Sequence, residues 1–296
     1  MLSRQSWLKK LSVPEEILAG LSSATSFAMA MKLVFDLEDR YAPAQLQDML
    51  PTLRRLSGFG LEACQRSYVL RELRRAPAQG YTREEVAPDV VIYRGDGEPA
   101  QKTLIVTLCG RSQRPNMPWS LFVQYLPAEL FDVVILCDRR DDHYNSGVEG
   151  YAPDLMALRQ RLEADLHMAA YRKVICYGTS SGGFPAIRLG LLGGAQSSIA
   201  IGGVFAWPIF RLQEGRSFQS FDPICPCFAS GRGKVLILHA SNDRDRVGAE
   251  QAARALDAKR IRITSTTDHN VNHQMFLAGR LWDFHQRLFE FGGKSF

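Results

Sequence analysis

Ser180 lies in Gly178-Thr179-Ser180-Ser181-Gly182-Gly183, directly after the apolar run Val174-Ile175-Cys176-Tyr177 and before a short apolar stretch that ends at Leu192. This is G-x-S-x-G in a strand-turn-helix setting, the context that gives the pattern chemical meaning. The turn is so tight that side chains two positions either side of the serine would strike neighbouring backbone. The serine hydroxyl is thereby raised above a strand end, at a helix N-terminus that favours a developing anion. A serine hydroxyl is a poor nucleophile until a base removes its proton, so the turn calls for a histidine and for an acid to orient it. In such elbows the acid and then the histidine follow the serine along the chain. Asp243, in His239-Ala240-Ser241-Asn242-Asp243-Arg244-Asp245, and His269, in Thr266-Thr267-Asp268-His269-Asn270, satisfy that order. Asp245 competes with Asp243, and His273 with His269. Between the histidines, His269 is preferred because it leaves its strand early while His273 falls near a helix start that Asn272 is placed to cap. His167, His239 and His285 sit within helices or at a strand end and read as structural, and His143, on another loop at the active edge, reads as a surface loop residue in preference to a substrate contact.

The elements that must position these residues follow from hydrophobic patterning. Up to about residue 86 the signals are helical, with Leu46, Met49, Leu50, Leu53 and Leu56 at spacings of three and four. Arg66, Arg71, Arg74 and Arg75 read as a solvated helix face. From Val90 the chain turns to continuous apolar runs: Val90 to Tyr93, Thr103 to Cys109, Phe131 to Cys137, Lys173 to Tyr177, Ser198 to Ile201, Lys234 to Leu238 and Ile261 to Thr264. Such runs are buried on both faces, as in a parallel sheet covered by helices. Helical stretches over Tyr151 to Ala170, Gly183 to Leu192, Gly248 to Lys259 and Gln274 to Phe291 separate them. The expected fold class is α/β: a doubly wound, mostly parallel sheet with helices on both faces, residues 87–296, preceded by an N-terminal helical extension over 1–86.

On these motifs residues from about 90 to 291 resemble the α/β-hydrolase superfamily, in particular its serine esterase and prolyl-oligopeptidase-like branch. GTSSGG matches that branch's elbow and HASND-x-D its acid loop. The resemblance implies Ser180 as nucleophile, Asp243 rather than Asp245 as acid by the spacing of that branch's acid loop, and His269 or His273 as base. It also implies an oxyanion hole made by the amide of Ser181 and one from the loop Cys109-Gly110-Arg111-Ser112, the second donor being Gly110 or Arg111. The lipase-type HGGG element is absent. A short insertion at about 203–232 stands where this fold places a lid, and its Phe205, Trp207, Phe210, Phe218, Phe221 and Phe228 would line an apolar slot.

Composition sets outer bounds. The 296 residues are 46% hydrophobic and 23% charged, with a net charge of +5 and no concentrated basic stripe, so no nucleic-acid partner is expected. No run reaches the ~20 apolar residues of a membrane span. Six cysteines are too few for a disulfide scaffold and read as buried thiols of a reducing, cytoplasmic compartment, while the Cys225-Pro-Cys227 pair lacks the second pair a zinc site needs. The expected function is serine hydrolysis of an ester or related acyl bond on a small-molecule substrate, with no metal or organic cofactor required. The alternatives are an acyltransferase using the same triad on a sugar or alcohol, and a catalytically silent module. The N-terminal helices would offer a surface for a protein partner or a homo-oligomer.

Overall fold

The structure, a computed structural model, describes residues 13–203 and 233–296. The described residues divide into two units, one comprising the chain up to Arg83 with Pro118–Gln124, the other Glu84–Met117 with Tyr125–Phe296. The expected insertion, apart from Gly203, lies outside the described residues, as do its aromatic slot and the Cys225/Cys227 pair.

The first unit is helical: α1 (Glu15–Ser22), α2 (Phe27–Arg40), α3 (Pro43–Leu53), α4 (Gly58–Arg66), α5 (Tyr68–Leu73) and α6 (Trp119–Gln124). Ser26 caps α2 by accepting the amide of Met29. The stripe of Leu46, Met49, Leu50 and Leu53 is buried, and α3 packs against α5 and α6. The arginine-rich segment is two helices, not one face. Ser67 interrupts it, caps α5 through the amide of Leu70 and donates its hydroxyl to the buried Glu38, while Arg74 turns back onto the carbonyl of Cys64. All residues of α6 are buried.

The second unit is built on a sheet whose strands are β1 (Thr82–Ala87), β2 (Val90–Arg94), β3 (Thr103–Leu108), β4 (Phe131–Leu136), β5 (Lys173–Thr179), β6 (Ser197–Ile201), β7 (Lys234–Ala240) and β8 (Lys259–Ile263). Their order is β1-β2-β4-β3-β5-β6-β7-β8. β2 runs antiparallel to β4, and the strands from β4 across to β8 are mutually parallel. Every residue of β3 and β4 is buried, which is why those strands read as unbroken apolar runs. β1, Thr-Arg-Glu-Glu-Val-Ala, was not expected; it is an edge strand with no fully buried residue and no apolar alternation, only Val86 and Ala87 packing partly on the core, and the division between the units falls within it.

Helices α7 (Leu155–Leu166), α8 (Gly183–Leu191), α9 (Asp243–Leu256), α10 (Val271–Leu277) and α11 (Leu281–Leu288) complete the described elements. Leu155, Leu158, Leu162 and Leu166 of α7 join one hydrophobic cluster with strand residues such as Val106 and Val134. Phe184 and Ile187 of α8 and Ala249, Ala252 and Leu256 of α9 form another with Val235 and Ile237. Two boundaries differ from expectation. The closing helix breaks in two at Gly279, whose φ of 66° is left-handed. Helix α9 begins at Asp243 rather than Gly248, and that shift decides which carboxylate reaches the site.

Candidate active site

The parallel register builds the site. Leu108 of β3 pairs with Gly178 of β5, so Gly110 and Ser180, each two residues further on, meet beyond the strand ends. Ser180 has φ 54°, a left-handed conformation that costs a non-glycine residue on the order of 1–3 kcal/mol and is held by its surroundings. A Cβ at Gly178 would run into the carbonyl oxygen of Gly182, and one at Gly182 into that of Leu108. The turn therefore closes only with glycine at both positions. A Cβ at Gly110 would lie 2.9 Å from the Ser180 Cβ and 3.6 Å from its Oγ, so the loop after β3 presents bare backbone to the serine.

The acid facing the histidine is Asp245, not Asp243. Both carboxylate oxygens of Asp245 lie 3.0 Å from Nδ1 of His269, and its side chain is 5% exposed. Asp243 is 91% exposed and pairs with Arg246 of its own helix at 3.3 Å. The reason is helical phase: α9 starts at Asp243, and two residues advance the helix by about 200°, so the two carboxylates point to opposite sides. Asn242 fixes the inward one. Its Oδ1 accepts the Asp245 amide at 2.8 Å, capping α9, and its Nδ2 donates to Asp245 Oδ2 at 2.9 Å. Burial pushes the Asp245 carboxyl up, but hydrogen bonds from His269 and Asn242, with the charges of His269 and Arg244, outweigh it and hold the group below the usual aspartate value.

His269 follows β8 on a loop braced by its neighbours. The Asp268 carboxylate accepts the Asn270 amide at 2.8 Å and Gln274 Nε2 at 2.9 Å, so it serves the loop and not the imidazole. His273 lies within α10, and the Asp245 contact is made by His269. Asn272 does not cap that helix; it is buried and donates to the carbonyl of Pro115 and to the Tyr177 hydroxyl.

Ser180, Ser181, Asp245 and His269 share a cleft of about 570 Å³ with Arg111, Asn242, Arg244 and Thr267. A larger cavity of about 640 Å³, lined by Lys173, Ser197, Lys234 and Lys259 at the strand starts, lies at the opposite sheet edge and holds none of these groups. Open α/β sheets place their chemistry at the carboxyl edge, where the smaller cleft lies.

His143 also lines the cleft, where the sequence placed it at the right edge but read it as a surface loop residue. It is buried, with Nδ1 3.1 Å from the carbonyl oxygen of Ser181. Asp141, His143 and Tyr144 all have positive φ, between 52° and 61°. The buried Tyr144 holds this bend by donating its hydroxyl to the carbonyls of Cys109 and Leu136. Burial lowers the His143 pKa against the opposing pull of the Ser181 carbonyl and nearby carboxylates. The other histidines expected to be structural are occupied as such: His239 is buried with Nδ1 2.7 Å from the carbonyl of Ala240, His285 is buried, and His167 ends α7 in a left-handed conformation. Among the described residues no cluster of three or more His, Cys, Asp or Glu side chains is arranged to hold a metal ion, and no helix is long and apolar enough to cross a membrane.

No family model and no curated protein matches the chain. Solved structures do. A 2,6-dihydroxy-pseudo-oxynicotine hydrolase superposes with a TM-score of 0.51 at 13% identity, over 96% of this chain and 95% of that one. A dienelactone hydrolase from Anabaena variabilis matches at TM-score 0.44 and 14% identity, over 71% of this chain and 98% of that one. An acylaminoacyl peptidase from Pyrococcus horikoshii matches at TM-score 0.46 and 10% identity over 75% of this chain, which spans 43% of the peptidase's length. Taken with the parallel sheet and the left-handed serine turn between β5 and α8, the full-length likeness to the first of these assigns the chain to the α/β-hydrolase fold.

Proposed function

We propose that the chain is a serine hydrolase that cleaves an ester or related acyl bond of a small molecule through an acyl-enzyme on Ser180. The observation that carries this reading is the Asp245–His269 contact in the same cleft as a left-handed elbow serine. A carboxylate only accepts hydrogen bonds, so Nδ1 of His269 carries the proton and Nε2 keeps its lone pair. Nε2 takes the Ser180 proton as Oγ attacks the acyl carbon, then returns it to the leaving alcohol. Asp245 stabilises the imidazolium in between. The amide of Ser181 and one from Gly110 or Arg111 receive the oxyanion. Water activated by the same imidazole then releases the acid and restores Ser180. Cys64, Cys109, Cys137 and Cys176 are buried thiols, which favours a reducing, cytoplasmic setting.

A fluorophosphonate probe tests the proposal. It is expected to label Ser180 on the folded protein, and Ser180→Ala to abolish labelling and reduce ester turnover on the order of 10⁴-fold or more. Retention of more than about a tenth of the turnover by that variant removes Ser180 from the mechanism.

A further inference from the structure

The charges around the cleft are unequal in what they have left to bind. Three acidic side chains nearby are already paired: Asp245 with His269, Asp243 with Arg246, and Asp141 with Arg111 Nε at 2.7 Å. Two guanidinium groups line the cleft, those of Arg111 and Arg244. Arg111 is 77% exposed and keeps its terminal nitrogens beyond the Asp141 contact. Arg244 is exposed and has no ion pair among the described residues. None of the described residues that line the cleft is Leu, Ile, Val, Met, Phe, Trp or Tyr.

Resting on the Ser180 reading, we propose that Arg244 and Arg111 form the receiving site for an oxyanion, a carboxylate or phosphate, carried by the acyl substrate. A guanidinium presents parallel N–H donors that match two oxygens of such a group, and its charge is fixed at every pH the protein tolerates. Arg244 lies next in sequence to Asp245, so an anion held there is anchored close to the histidine's acid partner. The anion contact is made in the bound substrate and in the transition state alike, so it lowers KM and leaves kcat nearly unmoved.

The test compares matched esters on the whole protein: para-nitrophenyl hemisuccinate against para-nitrophenyl pentanoate for a carboxylate, and acetylated glycerol phosphate against acetylated glycerol for a phosphate. Expected is a preference in kcat/KM of about ten- to hundredfold for at least one anionic member, expressed in KM and shrinking as salt is raised from 0.05 to 0.5 M. Which pair shows it identifies the anion. In Arg244→Gln, and to a smaller degree in Arg111→Gln, the preference should fall to about threefold or less, while the exposed Arg54→Gln on the helical unit keeps it. Turnover of neutral esters through a labelled Ser180 with no anionic preference, or a preference that survives in both cleft variants, overturns the proposal and leaves the hydrolase reading standing. Failure of every ester together with failure of Ser180 to label overturns both.

Discussion

The Asp245 carboxylate straddles His269 Nδ1, both oxygens 3.0 Å from the ring nitrogen, while Asn242 holds the same carboxylate from the other side. This fixes the histidine's tautomer and leaves the lone pair on Nε2. Asp245→Asn replaces an acceptor by a group that can offer N–H, so the tautomer is no longer enforced. Acylation should fall about 10³- to 10⁴-fold with the melting temperature little changed. Asp243→Asn, on the exposed side of α9, should stay within about threefold of the parent. Single-turnover acylation of the two variants decides, and the reverse ranking returns the acid role to Asp243.

Why Asp243 looked better from the sequence is instructive. Asp243 fits the spacing of the acid loop that the chain resembles, but which of two acids two residues apart points inward is decided only by where the helix starts. That start is set by Asn242, whose side chain accepts the Asp245 amide, a cap that the polar string Ser-Asn-Asp-Arg-Asp allows at more than one position. The parallel strands were legible because burial on both faces leaves an apolar run, as in β3 and β4. β1 was not, since none of its residues is fully buried and its apolar pair Val86-Ala87 is adjacent rather than alternating, and α6 is a six-residue segment too short to show a helical period. His143 was misjudged for a related reason. Its neighbours Arg139 to Asp142 are polar, and it is buried by a bend held through Tyr144, which local composition does not reveal.

Gly110 supplies the second prediction. Its missing side chain leaves the approach to Ser180 open, and a Cβ there would sit 2.9 Å from both the Ser180 Cβ and the Thr179 carbonyl oxygen. Gly110→Ala must displace the loop or the serine by a few tenths of an ångström or more. Misplacement on that scale at a reacting centre is costly, so kcat/KM should fall about a hundredfold. The loss should exceed anything unfolding explains, which circular dichroism and a thermal melt check on the same sample.

The contact between His143 Nδ1 and the Ser181 carbonyl makes a third. Ser181 carries the amide proposed for the oxyanion, so a donor on its carbonyl steadies the residue. His143→Ala leaves a carbonyl without that donor, a penalty of about 1–3 kcal/mol felt partly as loss of order in the turn. We expect kcat to fall about ten- to hundredfold with KM close to the parent's. His143→Asn places an N–H near the Nδ1 position and should recover most of the rate. If alanine and asparagine are equally impaired, the bond to Ser181 is not what His143 contributes.

His285 gives a prediction about stability alone. It is fully buried in α11, packed edge-on against Phe289 with Nδ1 3.2 Å from the Tyr125 carbonyl, and burial lowers its pKa to about 3. In the unfolded chain the imidazole takes its proton near pH 6.5. Between those two values the unfolded state binds a proton that the folded state refuses, so stability falls as pH drops and returns as pH rises. One such group contributes a slope of at most about 1.4 kcal/mol per pH unit across that window. His285→Phe removes the titrating group while keeping a ring in the same aromatic surroundings. Denaturant melts between pH 7 and pH 4 should therefore show a shallower acid-side decline in the variant than in the parent, whatever their difference at neutral pH. Parallel declines in the two proteins would mean that His285 is already protonated in the folded state, or reaches water as the pH falls, and that carboxylates elsewhere set the acid limit.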